Sequence, residues 1–189
     1  HEDPRRQRQM CIRDSSIVGE EAFMNPANSK EFTIGYYLSK DLGIYDLDVG
    51  FRHDQIERSG RVTEEEHDDE HGDEHGDEHG EVDYYNIDDS TNSFAVTLGR
   101  SLTDNLGISL GYASVERLPS SIELFMNGPH MATGRFEVGD PNLNSETSNN
   151  FDITFNFDNG DFYAYASFYI TDVDNYIALI DEEEDHMDE

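Results

Sequence analysis

The sequence predicts an all-β chain, an antiparallel up-and-down meander, and three observations carry that prediction. Apolar residues recur at every second position in six separate segments. Tight turn signals and long connections alternate between those segments without exception. No stretch of the chain carries the 3.6-residue period of an amphipathic helix.

The first segment is Phe32-Thr33-Ile34-Gly35-Tyr36-Tyr37-Leu38-Ser39, apolar at its even positions. A tight turn near Asp41-Leu42-Gly43 leads to the second, where Tyr45, Leu47, Val49 and Phe51 alternate with Asp46, Asp48, Gly50 and Arg52. A long connection over 58–83 follows. Phe94, Val96 and Leu98 mark the third segment, and Leu106, Ile108, Leu110 and Tyr112 the fourth, joined at Thr103-Asp104-Asn105. Leu118 to Ser145 forms the second long connection. Phe151, Ile153, Phe155 and Phe157 make the fifth segment; Phe162, Ala164, Ala166, Phe168 and Ile170 make the sixth. Asp158-Asn159-Gly160 between them is a hairpin turn signal, because Asn and Gly tolerate the left-handed backbone that such turns need. A third long connection starts at Asp181.

Each segment therefore has one apolar face and one small or polar face. In a meander, the alternation of connection lengths gathers every tight turn at one end and every long loop at the other. A soluble sandwich would bury the apolar faces against each other, but its Greek-key connections mix lengths at both ends. A transmembrane barrel turns the apolar faces to lipid and keeps short turns on one side and long loops on the other. The pattern favours the barrel. Six strands are fewer than the smallest closed bacterial barrels contain, so this stretch is expected to be part of a larger barrel and unable to close alone.

The chain has 189 residues and a formal net charge of −31. That acidity opposes nucleic acid and anionic headgroups, so no nucleic-acid partner is expected. A single cysteine, Cys11, excludes an internal disulfide framework and a thiolate-rich zinc site. No apolar run is long enough for a membrane-spanning helix. Residues 1–15 hold four of the twelve basic residues, match nothing after them, and resemble a read-through adapter peptide. They are set aside as a non-native lead, with the barrel segment taken as 16–180 and 181–189 as a truncated acidic loop.

The first long connection carries the most distinctive chemistry. His67, His71, His75 and His79 recur at a strict four-residue interval among Glu70, Asp73, Glu74, Asp77 and Glu78, with no Lys or Arg in the run. Neutral imidazole and carboxylate oxygen both bind borderline divalent metals. Gly72, Gly76 and Gly80, with the density of like charge, oppose a helix, so a loop that wraps an arriving ion is expected. Neighbouring carboxylates favour protonated imidazole, so acid is expected to compete with metal. The plain alternative is a solvated acidic loop that binds little. Calcium ranks below zinc, copper and nickel, because the tract lacks the apolar positions of a calcium-binding roll and the ligand spacing of a helix–loop–helix calcium site. His130 falls on the second long connection and His186 on the third, which places six of the eight histidines at one end of the meander. His53, in the second segment, is expected to be structural or to face the lumen, and Arg117 and Glu123 to serve structure, through a strand-end ion pair or loop anchoring.

The segment Glu116-Arg117-Leu118-Pro119-Ser120-Ser121-Ile122-Glu123-Leu124-Phe125, continuing through Gly128-Pro129-His130-Met131-Ala132-Thr133, resembles the barrel of TonB-dependent outer-membrane receptors. So does Phe136-Glu137-Val138-Gly139-Asp140-Pro141-Asn142-Leu143 with Glu146 to Ser148, and Phe168 to Ile177 downstream. The resemblance covers about residues 17–180. It implies a 22-stranded transmembrane barrel in the outer membrane of a Gram-negative bacterium, in contact with outer-membrane lipid. It also implies an N-terminal plug and a box engaging the energy-transducing TonB complex, neither of which lies in this stretch. The Gly-Pro-His form with His- and acid-rich loops looks most like receptors assigned to zinc. The function expected is capture and import of a divalent metal ion, zinc first, at His67, Glu70, His71, Asp73, Glu74, His75, Asp77, Glu78, His79, His130 and His186. A siderophore or metal-chelate receptor and a soluble periplasmic metal-binding protein are the alternatives. No cofactor is expected. No nucleophile–base pair with a supporting motif is present, so the chain does not read as an enzyme.

Overall fold

The computed structural model describes residues 5–15, 24–63 and 82–181. In chain order the elements are β1 (Arg5–Ser15), β2 (Ala27–Asp41), β3 (Asp46–Thr63), β4 (Val82–Ser101), β5 (Leu106–Arg117), α1 (Ser121–Phe125), β6 (Asn127–His130), β7 (Arg135–Val138), β8 (Glu146–Asp158) and β9 (Tyr163–Asp174). Seven strands form one open antiparallel sheet in the order β1-β2-β3-β4-β5-β8-β9, and β6 pairs with β7 as a separate hairpin.

The three tight turns form where the sequence places them, each closed by a side chain that takes over a main-chain donor. Asp41 Oδ1 accepts from Gly43 N at 2.6 Å, with Gly43 at a φ of 90°. Thr103 Oγ1 accepts from Leu106 N at 3.1 Å. Asp158 Oδ1 accepts from Gly160 N at 2.8 Å, and Gly160 has a φ of 87°. Asp, Thr and Gly do this because a short oxygen reaches two or three residues on and glycine has no Cβ to clash in the left-handed region.

Register turns six separate alternations into one surface. Leu47, Leu98, Leu110, Ile153 and Phe168 stand opposite one another in turn from β3 to β9. Leu38, Val49, Val96, Tyr112, Phe151 and Ile170 form the next row. This apolar band is open to its surroundings, with Phe51 46% and Phe168 63% exposed. The opposite face carries Asp48, Thr97, Gly111, Asp152 and Tyr169 along one row and Gly50, Ala95, Ala113 and Asn150 along the next. An apolar band facing out and a polar, small-residue face within is the division that a barrel wall in lipid requires.

Three expectations are corrected. The long connection over 58–83 is shorter, because β3 continues to Thr63 and β4 begins at Val82 with the two in unbroken register. That extension is held by main-chain pairing and by Val62, Tyr85 and Ile87, which pack around Phe125 from the second long connection. Lys30 pairs with Glu57 at 3.4 Å, and Gln55 donates to Asp88 at 2.5 Å. His53 does not face the lumen: it shares the apolar band's face and contacts Asn92 Oδ1 at 2.9 Å through Nδ1. The second long connection is not bare loop but holds α1 and the β6–β7 hairpin. Within the stretch set aside at the start, Arg5–Ser15 form β1, which pairs with β2 from Arg5 opposite Tyr37 to Ser15 opposite Ala27. That pairing is made by main-chain groups, which an open strand edge offers to any extended segment.

The buried core is small and lies on the polar face at the long-connection end. Met24, Ala27, Leu124 and Phe125 pack with Val62, Tyr85, Ile87 and Leu143. Phe125 is fully buried, stacked on Tyr85 with ring centroids 6.2 Å apart. Gly60 makes this possible, since a Cβ there would overlap the Phe125 ring.

Charge at the centre of the apolar band should be far more costly than charge on the opposite face. Val96→Arg in the full receptor should cost about 2–4 kcal/mol in urea unfolding from bilayers, and Thr97→Arg, one residue away, close to nothing. Equal losses for the two would overturn the assignment of faces.

Candidate functional site

The long-connection end is organised by Arg117, the last residue of β5. Its Nη1 donates to both Glu123 oxygens, at 2.8 and 3.1 Å, and its Nη2 and Nε reach Glu146 at 3.3 and 3.4 Å. The expected ion pair is thus present and extends to a second carboxylate at the start of β8. Glu146 Oε2 also accepts from Ile177 N at 3.0 Å, and Asn175 Nδ2 donates to Ser145 O at 3.2 Å. One guanidinium therefore ties together β5, α1, β8 and the segment after β9.

The single turn of helix missed from the sequence exists because it is capped. Ser120 Oγ accepts from Glu123 N at 3.4 Å, while Glu123 Oε2 accepts from Ser120 N at 2.6 Å. Such a reciprocal box satisfies two donors that the first turn would leave unpaired. Its signature, Ser-x-x-Glu, stands in the sequence at 120–123, but five residues are too few to show a helical period. Burial raises the Glu123 carboxyl, yet the Arg117 guanidinium and the Ser120 donors outweigh it and hold the group below its ordinary value.

Past the helix the chain doubles back. Met126 bridges to Met24, and Gly139 N donates to Met126 O at 2.6 Å. Gly139 lies so close to the helix that a Cβ would sit 2.7 Å from Glu123 O. Between these points stands the β6–β7 hairpin. His130 O accepts from Thr133 N at 3.1 Å and Gly134 N at 2.9 Å, and Gly134 takes a φ of 67° to close the turn. On one face of the hairpin Glu137 is 6% exposed. It accepts from Thr133 Oγ1 at 2.8 Å and contacts His130 Nδ1 at 2.9 Å. The Thr133 hydroxyl first, and the imidazole second, hold the Glu137 carboxyl below its ordinary value.

The hairpin is tied to the chain beside both acidic tracts. Asn127 Nδ2 donates to Thr63 O at 2.8 Å, and Arg135 pairs with Asp181 at 3.3 Å. Of the residues singled out as metal ligands, His130 is described. His67, Glu70, His71, Asp73, Glu74, His75, Asp77, Glu78, His79 and His186 lie outside the described residues. Among the described residues no three His, Cys, Asp or Glu side chains come together to hold an ion. Glu137, the carboxylate against His130, was missed. The signal that could have found it is the hairpin: a turn at Thr133-Gly134 brings 130 and 137 to one face.

Below the loop, the polar face of β2–β5 bounds an open cavity of about 950 Å³, lined among others by Glu31, Arg52, Asp54, Arg58, Ser120 and Ile122. Asp54 is 2% exposed and compensated by Arg52 Nε at 2.8 Å and Thr33 Oγ1 at 2.7 Å. Arg58 donates to Pro119 O, so the cavity wall and the loop are joined.

Over residues 12–186 the chain matches the family described as TonB dependent receptor-like, beta-barrel. The chain belongs to that family. TonB-dependent receptors are transporters of the Gram-negative outer membrane rather than enzymes, and membership replaces the alternative of a soluble periplasmic protein. Among solved structures, the chain is similar to a double mutant of the Serratia marcescens hemophore receptor HasR in complex with its hemophore HasA and heme. Identity is 18%, the TM-score is 0.64, and the match covers 92% of this chain and 32% of that one. At that identity the likeness is one of fold. The chain spans about a third of the receptor chain it matches.

The Glu123 carboxyl makes the cap pH-dependent. Because its folded value lies below the ordinary 4.5, its contribution is present above that value and is lost as pH falls through the lower, folded one. Protection of the Leu124 amide, which donates to Ser120 O at 3.1 Å, should fall in that acid window in hydrogen exchange. Glu123→Gln should abolish this dependence; an unchanged profile would remove Glu123 as its source.

Proposed function

We propose that this chain is part of a TonB-dependent receptor that captures a divalent metal ion, zinc first, on acidic, histidine-rich external loops and delivers it for energy-coupled import. The observation that carries the reading is the tethering of the hairpin. Thr63 and Asp181, the described residues that precede the two acidic tracts, are each bonded to the hairpin bearing His130. Loop histidines that are remote in sequence thus belong to chain that starts from one small patch.

The chemistry follows from the residue types. A net charge of −31 concentrates cations near the rim before any ligand is engaged. Imidazoles spaced among carboxylates then offer exchangeable nitrogen and oxygen donors, which favour transfer onward over permanent sequestration. TonB, engaging a plug outside this stretch, would supply the energy for passage through the barrel.

Zinc titration calorimetry on the full receptor tests this. Replacing His67, His71, His75 and His79 by Ala should remove most of the bound zinc, and lowering the pH from 7.5 to 5.5 should weaken what the native protein binds. Unchanged stoichiometry and affinity in the fourfold variant would sink the capture role.

A metal chelate as cargo is the second reading, and the cavity favours it. A volume of about 950 Å³ is far more than a bare ion needs and suits an organic ligand. Arg52 and Arg58 on its wall are already engaged by Asp54 and by Pro119 O, so the reading rests on the volume. Binding of an iron chelate that survives loss of the four tract histidines would favour this reading over zinc.

A further inference from the structure

We propose that Lys40 and Arg100, at the tight-turn end of the apolar band, form a binding site for the anionic headgroup of a phospholipid in the periplasmic leaflet, with Tyr45 as the positioning residue for Arg100. The site goes beyond cargo capture: it follows from the orientation of the barrel wall and holds whatever the receptor imports.

The first observation is the distribution of charge across the sheet. Strands send alternate side chains to opposite faces. On the band's face, the tight-turn half of the strands carries Lys40 and Arg100 and, among the described residues, no carboxylate. The other face of the same strand ends carries Asp41, Asp46, Asp48 and Asp158. Asp41 stands opposite Asp46, whose carboxylate lies 3.9 Å from where a Cβ on Gly99 would be. At the long-connection end the band's face is mixed instead, with Lys30, Glu57 and Asp88 in one row. In a chain of 43 acidic and 12 basic residues, cations alone at one end of one face make a local patch opposite in sign to the molecule.

The second is that neither cation is neutralised. Lys30, Arg52, Arg117 and Arg135 are each paired with a carboxylate, whereas no ion pair among the described residues involves Lys40 or Arg100. Both residues are exposed. Arg100 is laid over Tyr45 instead, with Cζ 5.3 Å from the ring centroid and Nη1 donating to Tyr45 Oη at 3.4 Å. Such a contact orients a guanidinium without cancelling its charge, and the remaining donors of its planar fork match phosphate oxygens. Lys40 stands two strands away, a backbone separation of roughly 12 Å from the usual spacing of strands and residues. Two long side chains can span that distance with one headgroup between them.

The third is depth. On the turns beside this patch, Leu42, Ile44 and Leu102 are 49%, 65% and 48% exposed. Apolar tips on short turns set the strand ends at the membrane boundary, where headgroup phosphates lie. In a receptor barrel the short turns are periplasmic, so the leaflet they meet is one of phospholipid. A Lys or Arg at that level keeps its charge among the headgroups while its stem lies along the apolar surface.

Native mass spectrometry of the full receptor, in micelles supplied with phosphatidylglycerol or with phosphatidylethanolamine, tests the site. The native receptor should retain one phosphatidylglycerol in preference to phosphatidylethanolamine. Lys40→Gln and Arg100→Gln should each weaken that retention about fivefold, and the double variant about 25-fold. Arg61→Gln removes a positive charge from the same face at the long-connection end, and should change retention by less than about twofold. Tyr45→Leu should weaken it about threefold, while Tyr45→Phe, which keeps the ring, should stay close to native. Equal retention of the two lipids by the native receptor would overturn the proposal, whatever the variants do. So would native affinity in the double variant. A loss in Arg61→Gln as large as in Arg100→Gln would also overturn it, because net charge would then explain both. Inorganic phosphate bound as tightly as the lipid would overturn it as well, by making the ligand a free anion.

Discussion

Antiparallel register is the constraint on which everything else in this molecule depends. Main-chain pairing from β2 to β9 satisfies the peptide groups that lipid could not, and it does so in the alignment that keeps the rows of Leu47 and Leu38 on one face. A slip of one residue between β3 and β4 would exchange Val49, Phe51 and Leu47 for Asp48, Gly50 and Arg52 on the band. The hydrophobic pattern and the main-chain bonds therefore enforce each other. The three side-chain-closed turns set that alignment at one end, leaving the opposite end free to carry long, polar segments.

What happens at that opposite end is governed by a few charged groups rather than by apolar burial. The core there is only a handful of residues around Phe125. Arg117 adds to it by engaging Glu123 and Glu146, two carboxylates 23 residues apart in the chain. Partly buried, and with donors arranged in a planar fork, a guanidinium suits this task better than an ammonium would. Glu146 then passes the connection to Ile177, so the second loop and the start of the third share one anchor. This is why a 28-residue connection from Leu118 to Ser145 can hold a defined hairpin on a wall only a few strands wide.

The electrostatics of the chain divide in the same way. On the inner wall, charge is compensated locally: Asp54 with Arg52, and Arg58 with a carbonyl. The tract from Glu64 to Glu81 carries no Lys or Arg. A field of one sign attracts cations without choosing among them. Selection must come from donor type and geometry.

The sequence by itself determined the period-two strands, the positions of the three tight turns, the alternation of short and long connections, and the Arg117–Glu123 pair. These are local or pattern properties: side-chain alternation is written into the pleat, and Asp, Asn, Thr and Gly act within three residues of where they stand. Only the tertiary structure decided how far β3 and β4 run, because Glu57 to Thr63 is held by pairing with β4 and by Val62 and Gly60 meeting Phe125, which arrives from a remote part of the chain. Tertiary packing also made a helix of five residues, since a capping box is too weak to nucleate one without Phe125 buried beneath it. Of the two readings open for His53, lumenal and structural, register removes the lumenal one by setting the residue on the face of the apolar band. Glu137 became visible only when the hairpin folded 130 against 137, since no periodicity in the sequence links two polar residues across a turn.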